Sequence, residues 1–135
     1  MTVSAAPLPS RSKSAVTAVI CDLVAIAAFA LFARIAHQSA EAPLNFLSWL
    51  NTAWPFWLGA LAAWLLLWFG FLGGRSGHEL SSALPVWLGT VLVGLGVWTL
   101  RNGELPHWSF VIVACTVSAL LLWGWRAVGR LIAKP

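Results

Sequence analysis

The stretch AVTAVICDLVAIAAFALFARIAH, residues 15–37, decides the fold. Its nineteen mostly apolar residues from 15 to 33 would rise about 28 Å as an α-helix, close to the ~30 Å hydrocarbon core of a bilayer. A polar residue on such a helix needs a reason. Asp22 falls roughly 10 Å inside one end, while Arg34 and His37 sit one turn apart where the helix leaves the other side.

Three further apolar runs follow, at about 52–72, 84–100 and 108–128. The second opens on Thr52-Ala53-Trp54-Pro55-Phe56, where Pro55 is read into a first turn that needs no N–H from it. Gly70, Gly73 and Gly74 mark its exit, and Arg101-Asn102-Gly103 closes the third run. The reading is all-α: a four-helix transmembrane bundle spanning 15–130 in a multi-pass cell-membrane protein. A basic tail without apolar periodicity at 1–14 is expected to be disordered, and a short tail at 131–135 closes the chain. The first run is longer than the apolar core of a signal peptide, and Asp22 interrupts it, so it is read as a span rather than a cleaved leader.

Composition agrees. The chain is 60% hydrophobic and 9% charged, far from the ~25% charged of soluble domains. Its net charge of +4 forms no basic patch, so no nucleic-acid partner is expected. Four spans put both termini on one face together with six of the eight Lys and Arg residues; Arg34 and Arg101 lie on the other. By the positive-inside rule both termini are predicted to be cytoplasmic, with membrane lipids as the immediate partners. Cys21 and Cys115 are predicted about 10 Å apart in level, too far for a disulfide.

Nine of the ten tryptophans fall near the two interfaces, as an aromatic belt does, and Trp64 alone falls at the midplane. Trp54, Trp57, Trp64 and Trp68 read as one face of the second helix, a lipid-facing or packing stripe rather than a stacking wall for a conjugated ligand. Gly89, Gly94 and Gly96 read as helix-packing positions.

Asp22 carries the most specific signal, because an acidic side chain inside a bilayer costs a few kcal/mol and is a functional-site hypothesis by default. Its level selects Thr90 and Arg126 as partners in a ligand or proton site; the competing reading is a pin that fixes helix register. On the other face Arg34, His37 and Arg101 form a polar cluster with Glu41, Glu104 and His107, suited to an anion or headgroup because guanidinium favours phosphate and carboxylate. His37, Glu41, Glu104 and His107 are a ligand set metals accept, but Pro106 breaks their helical spacing, and no metal or cofactor is expected. There is no Ser-His-Asp order, phosphate loop or histidine motif. The chain is therefore read as no enzyme.

These strings converge on a known family. Asp22; Arg34 with His37; Thr52-Ala53-Trp54-Pro55-Phe56; Thr90 and Arg101; Phe110-Val111-Ile112-Val113-Ala114; and Gly124-Trp125-Arg126 together resemble the small integral-membrane family catalogued as domain of unknown function 3054, of actinobacteria and some other prokaryotes. The chain departs from that pattern at Ala33, where the family often has glycine, and at Gly103-Glu104-Leu105-Pro106, where it has a glycine-rich turn. The resemblance implies the topology and the choice of residues, and supplies no reaction. The expected role is a non-enzymatic binding or transport-type bundle, working as a homodimer or within a larger membrane complex; the alternative is an accessory or assembly subunit.

Overall fold

A computed structural model describes residues 11–36, 43–70 and 80–133. Four helices account for most of them: α1 (Arg11–Ala36), α2 (Phe46–Trp68), α3 (Ala83–Asn102) and α4 (Trp108–Ala133), with one 3-10 turn at Leu80–Ser82 leading into α3. Each of the four is long and apolar enough to cross a membrane. They form a ring in which each packs on its neighbours in the order α1, α2, α3, α4 and back to α1.

The boundaries differ from the sequence reading at the start of α1, at both ends of α2 and at the end of α4, which runs to Ala133, into the segment read as a C-terminal tail. α1 begins at Arg11, inside the segment expected to be a disordered tail, because no Pro or Gly interrupts residues 11–36 and the helix runs on past its apolar part; residues 1–10 lie outside the described residues. α2 begins at Phe46, not Thr52, because Asn45 and Ser48 form a capping box. The Asn45 side chain accepts from the Ser48 N–H at 2.9 Å and the Ser48 hydroxyl accepts from the Asn45 N–H at 3.0 Å. Pro55 consequently stands inside the helix rather than in its first turn, and has no N–H to give to the Asn51 carbonyl. The helix stops at Trp68, short of Leu72, where Gly70 takes φ +80 and turns the chain. Gly103, at φ +68, ends α3 as expected and donates to the Thr99 carbonyl at 2.9 Å.

The buried face of α1 is built mainly from alanine. On α1 the buried positions are Ala15, Ala18, Asp22, Ala25, Ile26, Phe29, Ala30 and Ala33, at helical spacing, while Val16, Ile20, Val24, Leu31, Phe32 and Ile35 face outward. Large-out, small-in is the arrangement expected when lipid surrounds the bundle and close backbone approach holds it together. The α2–α3 crossing is the extreme case. A Cβ built on Gly59 would stand 2.2 Å from the Gly89 carbonyl oxygen, so both positions need glycine. Gly94 accommodates the Phe56 ring, whereas Gly96 faces open space.

The tryptophans do more than line the interfaces. Trp49 and Trp57 of α2 donate their indole N–H groups to the Ala27 and Leu23 carbonyls of α1, each at 2.9 Å. Trp87 of α3 donates to the Cys115 carbonyl of α4 at 3.0 Å. The expected single tryptophan face of α2 is thus divided: Trp57 and Trp64 turn toward α1, while Trp54 and Trp68 are exposed. Both cysteines are free thiols.

Candidate functional site

Among the described residues, two polar centres lie at different levels of the bundle. The first is Asp22, fully buried on α1. Arg126 of α4, also buried, meets it bidentately, Nη1 on Oδ1 at 2.8 Å and Nη2 on Oδ2 at 2.9 Å. Trp64 of α2 donates to Oδ2 at 2.9 Å and Trp125 of α4 to Oδ1 at 2.8 Å. The Trp125 ring also lies 4.4 Å from the Arg126 guanidinium carbon, and Arg126 Nη1 reaches back to the Leu122 carbonyl at 2.9 Å. An ionised carboxylate offers about four lone-pair sites, and here four donors take them. The arrangement is a buried knot tying α1 to α2 and α4, in which each carboxylate oxygen receives two donors.

Of the partners expected for Asp22, Arg126 is in place and Thr90 is not. The Thr90 side chain is buried, but its hydroxyl donates to the Val86 carbonyl of its own helix at 2.7 Å. That back-bonding is how a hydroxyl satisfies itself on a membrane helix. The Thr90 backbone lies beside Gly59, at the α2–α3 crossing. Trp64 and Trp125 are two further partners of Asp22 that helical rise alone does not reveal.

The second centre is a funnel of about 730 Å³ at the Arg34 end. Arg34 of α1 and Arg101 of α3 both line it, with Asn45, Asn51, Asn102, Glu104 and His107 around the mouth and Ala33, Pro55, Phe56 and Phe110 among its apolar walls. Arg34 Nη2 donates to the Pro43 carbonyl at 3.3 Å. Arg101 Nη2 donates to Asn51 Oδ1 at 3.0 Å, with its guanidinium 5.5 Å from the centre of the Trp54 ring. Phe56 stacks edge-on with Phe29 at 4.9 Å and with Phe110 at 6.5 Å, an aromatic layer beneath the polar mouth. His37 and Glu41 lie outside the described residues. Glu104 and His107 are exposed, and the His107 Nδ1 pairs with the Ser109 hydroxyl at 2.7 Å.

The model of the family described as protein of unknown function (DUF3054) matches residues 19–129. The chain belongs to this family. The matched span takes in the DUF3054 chain's whole Asp22 knot and both arginines of the funnel. No curated protein matches the chain, and no solved structure does.

Proposed function

We propose that this DUF3054 protein is an integral membrane binding protein, not an enzyme, and that its ligand site is the Arg34–Arg101 funnel. The Asp22 knot is its structural counterpart, holding three helices in register so that the two arginines stand across one mouth. The observation that carries the reading is the pairing of two guanidiniums from different helices on the wall of one open cavity of about 730 Å³. Guanidinium presents a fork of donors matched to carboxylate and phosphate, so the ligand is an anion. Arg101 gives one of its N–H groups to Asn51 and rests over Trp54, which orients the fork without neutralising it. By the charge count the termini are cytoplasmic and the funnel opens on the opposite face.

Native mass spectrometry of the protein extracted gently from its own membrane tests this, with Arg34→Gln/Arg101→Gln run alongside. The expected result is a small bound anion that the variant lacks. Recovery in fixed ratio with a larger membrane partner, and no bound anion, would overturn it in favour of an accessory subunit.

A further inference from the structure

Beside the funnel, on the outer flank of α1 and α2, lies an apolar groove of about 420 Å³ lined by Val24, Ala28, Leu31, Leu44, Phe46 and Trp49. Residues 24 to 31 of α1 give it about 10 Å of length along the membrane normal. The groove and the funnel meet at one short strap. Pro43 and Asn45 line the funnel, Leu44 between them lines the groove, and Asn45 borders both. Arg34 is fastened to this strap through the Pro43 carbonyl at 3.3 Å, so its guanidinium is held to the segment that borders both the polar and the apolar cavity.

We infer that the ligand of the funnel is an anionic membrane lipid, its headgroup between Arg34 and Arg101 and one acyl chain laid in the α1–α2 groove. This rests on the funnel being the ligand site and adds the class of molecule. Charge complementarity selects the headgroup: the two arginines meet a phosphate or carboxylate, not a zwitterion that brings its own cation. Continuity at Asn45 selects an amphiphile over a free anion, since a free anion has no use for the groove. The groove wall is also built in advance. Trp49 is held by its bond to the Ala27 carbonyl at 2.9 Å and packs against Phe46 at 5.6 Å and Trp57 at 5.7 Å, so this one wall residue loses little side-chain freedom when a chain settles there.

The test is lipid retention by the full chain in a neutral detergent, read by native mass spectrometry against equal amounts of dioleoyl phosphatidylglycerol and dioleoyl phosphatidylcholine, with soluble glycerol phosphate as a third arm. The wild type is expected to retain one phosphatidylglycerol with roughly ten-fold preference over phosphatidylcholine, a difference of about 1.4 kcal/mol. Arg34→Gln/Arg101→Gln should abolish the preference. Ala28→Phe, which fills the groove and leaves the arginines alone, should weaken retention of phosphatidylglycerol while leaving whatever charge preference remains. Unfolding temperatures close to wild type for both variants exclude misfolding as the cause. Equal retention of the two lipids by the wild type overturns the inference, as does unchanged retention by Ala28→Phe. Glycerol phosphate held as firmly as phosphatidylglycerol, and lost in the arginine variant, would also overturn it while leaving the funnel as the anion site; retention of no anion in any arm would remove both.

Discussion

Asp22 on α1 and Arg126 on α4 stand 104 residues apart in the chain and 2.8 Å apart in space. Both are buried, and the indoles of Trp64 and Trp125 complete the shell around the carboxylate. A buried pair of this kind gains its Coulomb energy only because every remaining lone pair is met, and its removal by halves is what costs most. It ties three helices together, and the strength of that tie is open to direct measurement.

Asp22→Asn keeps the size of the side chain but turns an amide N–H₂ toward donors. Arg126 is then left as an uncompensated buried cation, and the loss is expected at about 3–5 kcal/mol. Asp22→Leu/Arg126→Met removes both charges at once and should recover a large part of that loss, with a coupling of about 1–3 kcal/mol between the sites. Unfolding in mixed micelles, followed by circular dichroism, measures both. A double variant as unstable as the sum of its singles would show that the pair does not act as a unit.

How much of this was legible beforehand follows from what one-dimensional spacing contains. Length and apolarity gave four spans, and helical rise gave the level of Asp22, which was enough to select Arg126. Rise says nothing about rotation around a helix axis, so Thr90 was drawn to Asp22 although its hydroxyl turns back to Val86. Trp64 and Trp125 escape for the same reason: Trp125 near an interface looks like a lipid anchor, and Trp64 at the midplane like one more member of a tryptophan stripe, until the neighbouring helix shows an acceptor. Pro55 misled because proline most often opens a helix, while the signal at Asn45 and Ser48 uses serine where glutamate or glutamine is the usual mark. Of the outer cluster, the sequence brought Arg34 and Arg101 to one face; the funnel between them depends on the α2 wall, which the early start at Phe46 supplies.

The tryptophan bonds should rank by acceptor. Trp64→Phe removes a donor from a buried carboxylate and is expected to cost about 1.5–3 kcal/mol, the range for hydrogen bonds to charged groups. Trp57→Phe removes a donor from the neutral Leu23 carbonyl, which already serves its own helix, and should cost about 1 kcal/mol or less. Both substitutions keep an aromatic ring, so packing loss is similar in kind. Equal losses, measured by the same unfolding assay, would contradict the assignment of the two indoles.

Glycines that look alike in sequence should behave in opposite ways. Gly59→Ala places a Cβ 2.2 Å from the Gly89 oxygen and forces α2 and α3 apart, at a cost of about 1–3 kcal/mol. Gly96→Ala meets nothing within 4 Å and should be neutral or stabilising by up to about 1 kcal/mol through helix propensity. Thermal unfolding of the two variants side by side decides the point; a harmful Gly96→Ala would mean that its open face is covered by another chain in the membrane.

Arg101→Lys separates the fork from the charge. Lysine keeps the positive charge and a similar reach, but gives up the planar donors that hold Asn51 at 3.0 Å and the stacking on Trp54 at 5.5 Å. Arg101 is exposed, so bundle stability should change by less than about 0.5 kcal/mol. Ligand retention should instead fall roughly three- to ten-fold, because a point charge does not make the bidentate contact. What remains should be more sensitive to salt, since a solvated ammonium is screened over the ~8 Å Debye length of physiological salt while an oriented fork retains its hydrogen bonds. Retention measured across a salt series gives both quantities, and full retention by Arg101→Lys would leave charge alone as the recognition principle of the funnel.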